Sequence, residues 1–160
     1  MANYNEQLQR IWHAFEEEKG QIPSTAREAV AWGVAKGLID PPEIDPLEHL
    51  AGDMAKALRE EYSTDRYGRR YRINHAVRLT KGSVQITFWA IMDFAPRPHM
   101  ERAFAQRRRQ IVGDCFHLKT DVDVYNDKHR DQEPIQVVLN FTDDVSEAQG
   151  LQGYEGGEAA

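Results

Sequence analysis

The sequence of 160 residues has a single cysteine and no long hydrophobic run. The lone Cys115 excludes an intrachain disulfide and a thiolate zinc cluster. No stretch of about 18 apolar residues is present, so a transmembrane helix is excluded. The first residues, Met-Ala-Asn-Tyr-Asn-Glu, lack the basic and apolar pattern of a secretory signal. We therefore expect a cytoplasmic protein without membrane contact.

The sequence also lacks the motifs of common enzyme classes. It contains no Gly-rich phosphate loop, no Gly-x-Ser-x-Gly and no Walker-type motif. Its six histidines show no paired spacing that would suit a metal. We expect no enzyme activity, no catalytic residue, no metal and no cofactor.

The sequence does have an uneven distribution of charge. The net charge is −6, but residues 66–109 carry eleven Lys and Arg against Asp93 and Glu101, a net charge of +9. The other 116 residues keep nine of the twenty bases and 24 of the 26 acids, a net charge of −15. Such asymmetry indicates either an anionic partner for the basic segment or ion pairing across the fold.

Helical spacing and capping residues predict three helices at the start of the chain. The first covers residues 3–19. The second begins with the capping box of Thr25 and Glu28 and ends near Lys36. The third begins at Asp45, and its apolar stripe continues to Tyr62.

Alternation with a period of two predicts a β-hairpin over residues 70–92. With the turn centred on Lys81 and Gly82, the numbers of paired residues sum to 163. One face of the hairpin is then apolar and includes His75, which we expect to be a buried structural histidine. The opposite face is basic, polar and aromatic. Because a slip of one residue would mix the two faces, this division is well specified.

The rest of the sequence, after residue 92, predicts a long helix, a short strand and a tail. Pro98 can begin a helix that reaches about Tyr125, and the apolar alternation over 135–141 predicts a short strand. The acidic, Gly-rich residues 143–160 predict disorder. An apolar residue every seven positions in the long helix predicts a homodimer, with packing on the chain's own first helix as the alternative. The residues of this seam are Phe104, Ile111, Leu118 and Tyr125.

The predicted fold class is α+β, a body of three helices and a β-hairpin followed by the long helix and the short strand. This order over residues 3–92 resembles the winged helix-turn-helix superfamily of DNA-binding domains. The resemblance implies a winged-helix-like domain at 1–95, a self-association region at 96–142 and a tail at 143–160. It also implies a third helix in the major groove. Glu48 and Asp53 in that helix oppose contact with phosphates, so we expect the nucleic-acid contacts elsewhere.

Two basic surfaces form the predicted nucleic-acid site, the polar hairpin face and the first half of the long helix. Arginine suits phosphate, Asn and Gln suit base edges, and Trp offers a stacking surface. The predicted contacts are Arg66, Arg69, Arg70, Arg72, Asn74, Arg78, Lys81, Gln85, Trp89, Arg102, Arg107, Arg108 and Arg109. We expect a small DNA-binding protein, a transcriptional or mobile-element regulator. The alternatives are an RNA-binding protein and a protein–protein interaction module that docks its basic segment on an acidic partner.

Overall fold

The structure, a computed structural model, describes the main chain of residues 3–157 and the side chains of residues 3–152. Over this range the fold is α+β, with five helices and two antiparallel sheets of two strands each. The chain divides into two compact units, one ending at His49 and the other beginning at Leu50. The boundaries predicted near residues 95 and 142 fall inside the second unit. In the described range, no helix has the length and apolar character needed to cross a bilayer.

The first unit contains α1 (Tyr4–Lys19) and α2 (Ala26–Ala35). The predicted capping box of α2 is confirmed, because the N–H of Thr25 donates to the Glu28 carboxylate at 3.1 Å and the N–H of Glu28 donates to the Thr25 hydroxyl at 3.2 Å. Gly33 of α2 lies very close to α1. A Cβ atom there would be 2.8 Å from Cγ2 of Ile11, which is buried and stiff at χ1. The contact between α1 and α2 therefore requires glycine at this position.

Helix α3 (Pro46–Glu60) is followed by a hairpin that the sequence analysis missed, formed by β1 (Tyr62–Thr64) and β2 (Arg70–Arg72). The apolar stripe predicted for α3 continues to Tyr62, but this residue begins β1. Asp65 organises the turn of this hairpin. Its carboxylate accepts hydrogen bonds from the backbone N–H of Tyr67 at 3.0 Å and of Arg69 at 2.9 Å. Such a side-chain turn is a common role for aspartate.

The predicted second hairpin is present as β3 (Asn74–Lys81) and β4 (Val84–Ile91), but its register differs by two residues. Lys81 pairs with Val84, so paired numbers sum to 165 and the loop is Gly82-Ser83. Gly82 has a φ of +61°, the conformation that a type II′ turn needs at its first central position. This requirement places the loop one residue later than predicted. The two predicted faces survive because side chains alternate with a period of two.

Helix α4 (Arg97–Lys128) packs against β3 and covers part of the apolar hairpin face. His75, Val77 and Ala103 are 4%, 3% and 0% exposed at this contact. The ring of His75 also meets Phe104 edge to face, with 5.5 Å between centroids. The prediction that His75 is buried is therefore confirmed. On β4, the apolar face stays between 37% and 57% exposed at Val84, Ile86 and Phe88.

The strand predicted over 135–141 is wrong, since these residues belong to neither of the two sheets. The side-chain amide of Asn126 in α4 takes the place of a strand, because it both donates to and accepts from the backbone of Ile135 at 2.9 Å. The disorder predicted from residue 143 also differs from the structure, which has α5 at Thr142–Gly157. Asp143 and Asp144 stabilise the first turn of a helix electrostatically. Residues 158–160 of the predicted tail lie outside the described range.

Candidate nucleic-acid interface

A concave pocket of about 320 Å³ is lined by residues of β2, the β3–β4 hairpin, α4 and the end of α3. Its lining contains five arginines and no acidic residue, and we call it the arginine pocket. The lining residues are Arg59, Arg72, Asn74, His75, Ala76, Arg78, Trp89, Gln106, Arg107, Arg109 and Gln110. Six of the thirteen predicted contacts therefore come together in one place, namely Arg72, Asn74, Arg78, Trp89, Arg107 and Arg109.

The local structure explains this convergence. Asn74, Ala76 and Arg78 share one face of β3 because alternate side chains of a strand point the same way. Trp89 of β4 pairs directly with Ala76 in the observed register. Residues three and four positions apart share a helix face, so α4 presents Gln106 together with Arg109 and Gln110.

Gln106 fixes α4 to the edge of β3. Its side-chain oxygen accepts from the backbone N–H of Arg78 at 2.8 Å, and its amide nitrogen donates to the Arg78 carbonyl at 2.8 Å. About two turns earlier, Nε2 of His99 donates to the His75 carbonyl at 2.9 Å. These bonds occupy main-chain groups of β3 and hold Arg78 next to the arginines of α4.

Asn74 attaches the end of α3 to the hairpin. It is buried, and its amide nitrogen donates to the Leu58 carbonyl at 3.2 Å and to the Glu61 carboxylate at 2.8 Å. Its amide hydrogens are therefore used inside the protein, and its contribution to the pocket is structural. This role was not expected from its place on the polar hairpin face.

Arg59 of α3 is a lining residue that the sequence analysis missed. The guanidinium carbon of Arg59 lies 5.3 Å from the ring centroid of Trp89. This cation–π contact holds the arginine without neutralising it. No spacing in the sequence signals the contact, because Arg59 and Trp89 belong to elements far apart in the chain. Gln106 and Gln110 could not be predicted from charge, because both are neutral side chains next to the arginines of α4.

The positive charge of the arginine pocket is uncompensated. In the part of the chain that the structure describes, the ion pairs that involve arginine are those of Arg69, Arg97 and Arg130, all outside the pocket. The pKa of His75 reflects this environment. Burial lowers it below its ordinary value near 6.5, and the charges of Arg107 and Arg72 lower it further. The lining of the pocket is therefore a concentration of positive charge.

Three further predicted contacts lie on the β1–β2 hairpin and form a separate cluster. The guanidiniums of Arg66 and Arg69 lie 4.7 and 5.2 Å from the ring centroid of Tyr67, and that of Arg70 lies 4.2 Å from the Tyr62 ring. Arg69 is also paired with Asp65 at 2.6 Å. Hydrogen bonds from Arg69 lower the pKa of that carboxyl. This pairing reduces the charge that Arg69 offers to a ligand, while Arg66 and Arg70 have no carboxylate partner among the described ion pairs.

The other predicted contacts do not line the arginine pocket. Lys81 and Gln85 are exposed near the turn of the β3–β4 hairpin, and Arg102 is exposed on α4. Arg108 lines a different, apolar groove of about 440 Å³ on α4. Arg107 lies between the two cavities and lines both, whereas Arg109 lines only the arginine pocket and Arg108 only the apolar groove.

No protein-family model, no curated protein and no solved structure matches this chain. The likeness to winged helix-turn-helix domains thus stays a prediction from the order of elements. Function has to be argued from the chemistry of the site itself.

The seam predicted to form a dimer interface is partly open. Phe104, Ile111, Leu118 and Tyr125 are 49%, 55%, 45% and 44% exposed. Leu139 and Phe141, which follow α4 in the chain, line the apolar groove together with Phe104 and Ile111. The segment that follows α4 therefore lies beside the first two residues of the seam.

Proposed function

We propose that this protein binds nucleic acid through the arginine pocket. The observation that carries the proposal is the presence of five arginines, without an acidic residue, around one cavity. Like charges brought this close repel one another, and an anionic ligand removes the repulsion. Guanidinium groups match phosphate oxygens with two parallel hydrogen bonds.

The neutral residues of the pocket favour nucleic acid over an acidic protein. Trp89 supplies a π surface, and stacking on aromatic rings and arginine planes is characteristic of base recognition. Gln110 offers amide donors and acceptors that suit base edges. An acidic protein partner would be recognised mainly through its charge, which the arginines alone can match. The cellular role that we propose is that of a small DNA-binding regulator.

A homodimer forms the second part of the proposal. The seam on α4 keeps about half of its apolar surface exposed, and a heptad repeat keeps such a surface directed towards a partner helix. Two copies would also double the arginine pockets, which suits nucleic-acid sites with two-fold symmetry.

The test is fluorescence anisotropy with labelled random-sequence duplex DNA, single-stranded DNA and RNA, each measured over a series of salt concentrations. We expect binding that weakens steeply with salt, corresponding to roughly four or more displaced counterions. A labelled acidic peptide of similar charge serves as the control. The proposal is wrong if none of the nucleic acids binds at low salt, or if the acidic peptide binds as tightly as they do.

A further inference from the structure

Building on the proposed nucleic-acid function, we propose that the arginine pocket binds one unpaired nucleotide of a single strand. Its phosphate would lie on Arg78 and Arg107, and its base would extend the stack of Trp89 and Arg59. The ligand class is thus a phosphate-bearing nucleotide with an accessible base face, rather than the continuous backbone of a duplex.

The shape of the site supports this assignment. At about 320 Å³, the cavity falls at the lower end of the range of roughly 300–1,000 Å³ that is typical of small-molecule sites. A base inside a duplex is stacked on both faces, so it cannot present a face to Trp89. An unpaired base can leave the stack and lie against an aromatic ring. A concave site with an aromatic residue in its lining therefore suits an unpaired nucleotide.

The chemistry of the lining supports it as well. The guanidinium carbon of Arg59 lies 5.3 Å from the ring centroid of Trp89, so an aromatic surface and a cation are already in contact before a ligand arrives. A base that lies against both groups gains a stacking and a cation–π contact. The arginines that would hold its phosphate come from two elements, β3 and α4, which Gln106 joins through its two hydrogen bonds to Arg78. The two elements that carry these arginines are thus joined before a ligand arrives, which reduces the entropy lost on binding.

The consecutive arginines of α4 provide a matched control. Arg107 lines both the arginine pocket and the apolar groove, whereas the next residue, Arg108, lines the apolar groove alone. A duplex that lay along α4 would draw on both charges to a similar extent. A nucleotide in the pocket would draw on Arg107 much more than on Arg108.

The experiment measures binding of the full chain to single-stranded oligonucleotides of about twelve nucleotides, DNA and RNA, and to a blunt duplex of the same sequence. Adenosine 5′-monophosphate, ribose 5-phosphate and inorganic phosphate are used as competitors. We expect tighter binding of a single strand than of the duplex, and stronger competition by the mononucleotide than by the two ligands without a base. Stronger binding of DNA or of RNA would identify the source of the nucleotide.

Variants then locate the base. Loss of one stacked base is worth about 1–3 kcal/mol, so Trp89→Leu should weaken single-strand binding roughly tenfold, while Trp89→Phe should largely restore it. In Trp89→Phe, the tryptophan quenching that accompanies binding should disappear although anisotropy still reports a complex. Arg107→Ala should weaken binding several-fold, and Arg108→Ala should leave it within about twofold. Circular dichroism checks that each variant is folded.

Two results separate this inference from the proposed function. If the duplex binds as tightly as a single strand, or if inorganic phosphate competes as well as the mononucleotide, the pocket does not bind a nucleotide, but the protein still binds nucleic acid. Equal losses of single-strand affinity in Arg107→Ala and Arg108→Ala would likewise show that the pocket does not bind a nucleotide. If no nucleic acid binds, both proposals fail. The comparison of ligands uses the unmodified protein, so it decides the matter even if a Trp89 variant is unstable.

Discussion

Gln106 provides the sharpest test of how the arginine pocket is assembled. Its amide makes two hydrogen bonds of 2.8 Å to the backbone of Arg78, and these join α4 to the edge of β3. A hydrogen bond of this kind contributes about 0.5–1.5 kcal/mol net, so the pair is worth about 1–3 kcal/mol. Ala has a better helix propensity than Gln by only a few tenths of a kcal/mol. Because the freed groups of Arg78 regain water at the surface, we expect Gln106→Ala to lower the free energy of unfolding by about 1–2 kcal/mol.

Equilibrium urea unfolding measures this loss, with Gln110→Ala as the matched control. Gln110 lies one turn later on the same helix and makes no hydrogen bond in the described contacts, so its replacement should change stability by less than about 0.5 kcal/mol. Gln106→Glu provides a second comparison. Its carboxylate can still accept from the N–H of Arg78 but cannot donate to the carbonyl. If Gln106→Ala and Gln110→Ala have equal effects, α4 is not held on β3 in the way described.

Three further predictions follow from other parts of the fold. Gly33→Ala should lower the free energy of unfolding by about 1–2 kcal/mol in the same urea assay, because the close contact with α1 outweighs the helix propensity gained. Gly113→Ala should raise it by up to about 1 kcal/mol, because nothing lies within 4 Å of the new Cβ. The free energy of unfolding should fall as the pH is lowered through about 6.5. Burial lowers the pKa of His75, so the unfolded chain binds the proton more readily than the folded protein. His75→Gln should flatten this dependence, and an unchanged pH profile in this variant would contradict the prediction. Light scattering should give a dimer of the 18.4 kDa chain and a monomer for Ile111→Asp combined with Leu118→Asp, and a parent protein that is monomeric at tens of micromolar would end the dimer proposal.

Local signals in the sequence predicted the elements of the fold well. The capping box at Thr25 and Glu28 is an interaction between neighbours in the chain, so it could be predicted without knowledge of the fold. The alternation of the β3–β4 hairpin predicted its two faces, and the burial of His75 followed from them. The register was wrong by two residues, because the turn is decided by the backbone conformation of Gly82 and not by the hydrophobic pattern.

Contacts between distant elements could not be predicted in this way. The cation–π contact of Arg59 with Trp89 and the attachment of Asn74 to the end of α3 depend on how α3 lies against the hairpin. The apolar alternation over 135–141 is compatible both with a strand and with an extended segment beside a helix. The bonds of Asn126 to Ile135 produce the second arrangement. Charge clustering predicted four arginines of the pocket and the polar hairpin face predicted Asn74 and Trp89, but the cavity itself is a product of tertiary structure.

The salt dependence of nucleic-acid binding by individual arginine variants tests the central claim most directly. Arg78→Ala and Arg107→Ala should each weaken binding and reduce the slope of log affinity against log salt by about one, since each removes one phosphate contact. Arg97→Ala removes an arginine on the same α4 helix that is paired with Glu101 at 2.9 Å and lies outside the arginine pocket, so it should leave the slope unchanged. Unchanged slopes for Arg78→Ala and Arg107→Ala, or a loss in Arg97→Ala as large as theirs, would contradict phosphate binding in the arginine pocket.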